Sequence, residues 1–170
     1  MRSIRIIGVW LLGVSALAAS DVVQIERMSL DLATEVAKRS VEVCRAQGYW
    51  VSAVVVDRSA NVQVAMRDTY ASRFTMQIAE QKANAVIMAG TDSATFVTNR
   101  ADIRNELNNI DGLIMMRGAL PVKSGDVMLG AVGVSGAPGG DLDAACAAKA
   151  LKSLEERLAF AMMEEEKEEN

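Results

Sequence analysis

The chain has 170 residues, 18 Lys+Arg against 22 Asp+Glu for a net charge of −4, and is 51% hydrophobic and 24% charged, the length and balance of one globular domain. It contains no histidine, which excludes Ser-His-Asp and Cys-His catalysis and imidazole ligation of zinc or haem iron, and its two cysteines, Cys44 and Cys146, are too few for a thiolate cage. The acidic balance argues against nucleic acid as a partner, because phosphate binding needs a basic face.

The first segment reads as an address. Met1–Arg5 carries Arg2 and Arg5 with no acid, Ile6–Ala19 is apolar, and both Ala16-Leu17-Ala18 and Ala18-Ala19-Ser20 fit a small-x-small cleavage site. Residues 1–20 are therefore expected to be a secretory signal peptide, with an uncleaved amino-terminal anchor as the alternative. The apolar run is short for a membrane span, so no stable membrane insertion is expected after cleavage. No cysteine follows it, which excludes a lipoprotein anchor. The expected destination is periplasmic or secreted, where disulfides persist.

Residues 21–160 are expected to form one domain. Ser29 can cap a helix over Leu30–Gln47 with Leu32, Ala33, Val36, Ala37, Ser40, Val41 and Cys44 on its buried face, and Gly48 ends it. Val51–Val56 is a nearly unbroken β-branched run, the pattern of a strand covered on both faces. After an Arg58–Asn61 turn, Val62, Val64 and Met66 alternate with Gln63, Ala65 and Arg67, which predicts a hairpin. Phe74–Ala89 reads as a helix stopped by Gly90, and Thr91 or Asp92 can cap a short helix through Val97. Arg100–Asp111 is polar and expected to be irregular. Leu113–Met116 and Leu120–Val122 are short strand candidates, Ser124–Asp126 a turn, and Val127–Val134 a longer strand. Asp141 is expected to cap a last helix reaching about Phe160. An acidic tail over 161–170, with five glutamates and one lysine from Glu164, reads as a solvated end. Hairpins imply antiparallel pairing, so the fold class is α+β, one antiparallel sheet with helices on its faces.

At the glycine loop a resemblance becomes specific. The run from Leu129-Gly130-Ala131-Val132-Gly133-Val134-Ser135-Gly136 through Ala137-Pro138-Gly139-Gly140-Asp141-Leu142-Asp143 to Ala144-Ala145-Cys146-Ala147 resembles the carboxy-terminal signature of the GlcG/HbpS family. Met28-Ser29-Leu30, Val54-Val55-Val56-Asp57 and Ile78-Ala79-Glu80-Gln81-Lys82-Ala83 agree in order and spacing. The resemblance implies a profilin-like sheet flanked by helices, a homo-oligomer, and, from haem-binding relatives that include the PduO carboxy-terminal domain, haem or a related tetrapyrrole as ligand. An alternative is an enzyme or enzyme accessory acting on a small organic acid, whose carboxylate Arg67, Arg73 and the loop amides would hold. A third reading is a structural partner of another exported protein. Many relatives carry a His-Thr pair before the second helix; here the segment is Arg73-Phe74-Thr75, so that iron ligand is lost.

Candidate ligand-binding residues follow. Between the hairpin and the second helix, Arg67, Tyr70, Arg73, Phe74 and Met76 combine cations for carboxylates, aromatics to cover a ring, and, in Tyr70 and Met76, candidate axial ligands for haem iron. Lys82 matches the family's Lys-Ala motif and can pair with a ligand carboxylate, or be neutralised by Glu80, Asp57 or the sheet end. Ser135 and Gly136 sit in the Gly133–Gly140 loop, whose amides and following helix start suit an anion, unless the loop is only a turn with Asp141 as cap. No carboxylate spacing singles out an acid–base pair, and Val-Ser-Gly at Ser135 is not a nucleophile elbow, so catalytic residues are expected to be none. Ten methionines form no Met-x-Met cluster and are expected to pack cores or interfaces rather than bind copper. In the family's fold the helices carrying Cys44 and Cys146 share one sheet face, which leaves two alternatives, a disulfide or two buried thiols.

Overall fold

The computed structural model describes residue 23 and residues 25–159; the expected signal peptide and acidic tail lie outside the described residues. The chain opens with helix α1 (Leu30–Arg45), whose start is capped by Ser29 Oγ accepting from Leu32 N at 3.2 Å. Strands β1 (Ser52–Asp57) and β2 (Val62–Arg67) form the hairpin, followed by α2 (Phe74–Ala89) and α3 (Ser93–Asn99). Strands β3 (Ala119–Ser124) and β4 (Val127–Ser135) make a second hairpin, and α5 (Gly140–Lys152) follows it. The sheet has four strands in the order β2-β1-β4-β3, and every pair is antiparallel.

Alternation along the two central strands divides the core. Ala53, Val55, Val132 and Val134 join the apolar faces of α1 and α5 on one side. Val54, Val56 and Ala131 meet Ala79, Ala83 and Val86 of α2 on the other. Covering β1 on both faces accounts for its valine run, each fully buried valine contributing about 1.5–3 kcal/mol. Gly133 of β4 is needed for contact rather than conformation, because a Cβ there would collide with the backbone carbonyl of Ala79. Helix α2 therefore lies directly on the strand, which fixes its first turn at the end of the sheet.

Four boundaries differ from expectation. Leu113–Met116 is no strand: Leu113 N bonds Ile110 O and Met115 N bonds Asn108 Oδ1, so these groups close turns, and Met115 is buried in a satellite cluster with Ala85, Phe96 and Leu107. The polar excursion is partly helical, with a 3-10 turn at Ala101–Ile103 and α4 at Arg104–Leu107. Asp141 does not cap the last helix; Gly139 holds the extended N-cap position, and Asp141, in the first turn, pairs with Arg117 at 3.0 Å. Helix α5 stops at Lys152, with a turn before a second helical stretch over 155–159. The cysteines are joined: Cys44 and Cys146, with Cα atoms 5.4 Å apart, form a disulfide between α1 and α5.

Asp92 does cap α3, its Oδ1 accepting from Thr95 N at 2.9 Å and its Oδ2 from Thr95 Oγ1 at 2.7 Å. Partial burial raises its carboxyl, but these bonds and one from Ala94 outweigh it and hold the group below the ordinary 3.8. A depressed folded value stabilises above the unfolded value and is lost as pH falls through the folded one. Asp92→Ala is expected to cost about 1 kcal/mol at neutral pH. The difference from wild type should shrink in strong acid, as urea unfolding at the two pH values will show.

Candidate ligand surface

The strand register sets the frame of the site. Ser52 of β1 lies opposite both Arg67 of β2 and Ser135 of β4, so three strands end together. Ser52 Oγ and Thr75 Oγ1 share a 2.8 Å hydrogen bond that ties the first turn of α2 to this end. Trp50, just before β1, joins the remaining parts. Its ring meets that of Tyr70 edge-on, with centroids 5.1 Å apart. Its carbonyl lies under Gly136, where φ is +133° and a Cβ would collide with it. The 67–76 segment and the glycine loop thus converge on Trp50.

The outcome for each candidate is specific. Tyr70 is 74% exposed, Phe74 55% and Trp50 41%, so the Trp50–Tyr70 pair and the Phe74 ring are each open to solvent. The Arg73 guanidinium lies 4.3 Å from the Phe74 ring centroid, a cation–π contact that leaves its outer donors to solvent. Met76 is half-buried. Arg67 is exposed and turns one nitrogen, Nη1, back onto its own chain to donate to Ala71 O at 2.5 Å, which leaves its other donors unengaged within the described residues. Ser135 is buried and Gly136 exposed.

Lys82 requires correction as a ligand residue. It is 1% exposed, and its ammonium donates to Asp143 Oδ2 at 2.8 Å and Val134 O at 2.9 Å. Of the groups considered for neutralising it, the sheet end contributes Val134 O, and the countercharge is Asp143, not Glu80 or Asp57. Burial raises the Asp143 carboxyl above its ordinary value, with Lys82 and the Ala137 amide pulling the other way. Asp143 Oδ1 accepts from Ala137 N at 2.9 Å, and Asp141 occupies the first turn of α5. Two carboxylates thus attend the glycine loop and the helix start, each paired with a cation, Asp143 with Lys82 and Asp141 with Arg117. Within the chain the loop approaches Trp50 O at Gly136 and gives Ala137 N to Asp143.

Sequence reasoning missed Trp50, Ser52 and Thr75. An aromatic residue directly before a buried strand was the available signal for Trp50; nothing local marks the hydroxyl pair, which is 23 residues apart in the chain.

Residues 28–152 match the family described as haem degrading protein HbpS-like. Among solved structures, the chain is similar to a double mutant of Streptomyces reticuli HbpS, with 29% identity, a TM-score of 0.74, and coverage of 82% of this chain and 94% of that one. It is 24% identical to Klebsiella pneumoniae protein ORFY, with a TM-score of 0.72 over 79% and 94% of the two chains. A PduOC–haem complex, 17% identical with a TM-score of 0.65 over 75% and 94%, shares the fold. No curated protein matches the chain significantly.

Proposed function

This chain belongs to the HbpS-like family, and on that premise we propose that it is an exported protein that binds haem or a related tetrapyrrole and sequesters or delivers it. The observation that carries the reading is the exposed Trp50–Tyr70 ring pair, together with exposed Phe74 under Arg73 in the segment that follows Tyr70. A flat apolar macrocycle matches aromatic faces, and Arg73 can take a propionate by paired hydrogen bonds. The Tyr70 phenol and the Met76 thioether are the candidate iron ligands in place of the absent imidazole. The surface is open, which suits a ligand covered from its other side by a second copy in a homo-oligomer. Export is supported by the Cys44–Cys146 bond, since disulfides persist in oxidising compartments. Among the described residues no helix is long and apolar enough to cross a membrane.

Haemin titration followed by absorption spectroscopy tests the reading. A Soret shift that saturates at a fixed haem-to-chain ratio is expected, with Trp50→Ala about tenfold weaker, the worth of one lost aromatic contact. Tyr70→Phe should move the bands if the phenol ligates iron. A broad, unsaturable change in wild type would remove haem as the ligand. A bound spectrum that persists for hours supports sequestration, whereas steady bleaching would indicate that haem is consumed.

A further inference from the structure

The turn that presents Tyr70 is held more firmly than an exposed turn requires. Asp68 N donates to Val51 O at 2.9 Å, and Ala71 N closes the turn onto Asp68 O at 3.0 Å. Arg67 donates to Ala71 O from β2. The Asp68 carboxylate, only 4% exposed, accepts from Arg45 Nε at 2.7 Å, at the last turn of α1. Arg45 directly follows Cys44, whose disulfide pins that turn to α5. A buried carboxylate paired with a half-exposed arginine is a poor source of net stability, because desolvation offsets the attraction. The pair fixes an orientation instead, and what it orients is the Tyr70 ring against Trp50.

We propose that Asp68 and Arg45 are positioning residues of the ligand surface, preorganising the Trp50–Tyr70 pair so that its order need not be acquired on binding. This rests on the haem-binding reading for its ligand, but the positioning itself is a property of the free protein. Residues ordered in advance spare a ligand that cost, and releasing the turn is expected to weaken haemin binding about tenfold.

The chain's tryptophans are Trp10 and Trp50; cleavage of the expected signal peptide removes Trp10, and Trp10→Phe does the same for an uncleaved chain, so Trp50 is the tryptophan probed. In that background, Arg45→Met, Arg45→Lys and Asp68→Ala are compared by near-ultraviolet circular dichroism of the free protein, by thermal unfolding and by haemin titration. Arg45→Met and Asp68→Ala should lose most of the Trp50 band while the far-ultraviolet spectrum stays folded, and bind haemin about tenfold more weakly. Arg45→Lys, which keeps the charge, should restore part of both. An unchanged Trp50 band in folded Arg45→Met overturns the proposal, as does haemin affinity that falls only in proportion to unfolded protein. If wild type binds no haemin, the functional reading fails by itself and the Trp50 band still decides the positioning role.

Discussion

Cys44→Ala/Cys146→Ala is expected to lose about 4.7 kcal/mol of stability at 25 °C, the loop-closure value for a bond spanning 102 residues. The native state offers little to offset this. Both sulfurs lie in the core at 0% exposure, and the α1–α5 contact around them is the apolar face of Leu32, Val36, Val41 and Ala147, which the variant keeps. The effect therefore acts on the unfolded chain, which the bond holds as one large loop. Against a total stability of about 5–15 kcal/mol for a domain, this is a large share. Urea unfolding should show a lower midpoint and a steeper slope, since the uncrosslinked chain exposes more surface. Wild type unfolded under reducing conditions should match the variant. A loss below about 1 kcal/mol would mean that the bond does not constrain the unfolded state.

The same bond shows where sequence reading stops. Cys44 ends the apolar α1 face that periodicity marks from Leu32, and Cys146 is buried on α5. Their proximity depends on α1 and α5 sharing a sheet face, which only the family resemblance could suggest. Local signals otherwise hold well. Ser29 and Asp92 cap the helices they precede, Gly90 ends α2 at φ +67°, and the Val51–Val56 run becomes the doubly covered central strand. Reading fails where composition fits two environments. Leu113–Met116 is as apolar as a strand, but Met115 and Leu113 join a satellite cluster with Phe96 of α3 and Leu107 of α4, while Met116 stays exposed. The ligand surface was half legible. Tyr70, Arg73, Phe74 and Met76 come from one contiguous segment, whereas Trp50 enters through its ring contact with Tyr70 and the close approach of Gly136. Lys82 was open to two readings, a ligand's partner or a charge neutralised within the fold, and the sequence could not name its partner because the carboxylate that encloses it is 61 residues away.

Lys82→Met is expected to cost about 3–5 kcal/mol at neutral pH, the penalty for leaving one member of a buried ion pair without its partner. The fold is built around this lysine. Gly118 carries no side chain where a Cβ would stand 2.7 Å from the Lys82 ammonium, and the pair joins α2, the end of β4 and the start of α5. Removing the cation leaves Asp143 with Ala137 N as its remaining hydrogen bond. Burial already raises this carboxyl, and without Lys82 it rises further and takes up a proton. A raised folded value gives stability that is present below the unfolded value and lost as pH climbs through the folded one. The variant's deficit should therefore be smallest in acid and grow towards neutrality. Asp143→Leu alone should also be severe, since it strands the ammonium. Lys82→Met/Asp143→Leu should be much less destabilised than the two single losses added together, because neither charge is then buried alone. Chemical unfolding of the four proteins across pH measures this coupling, and strictly additive losses would show that the pair does not act as a unit.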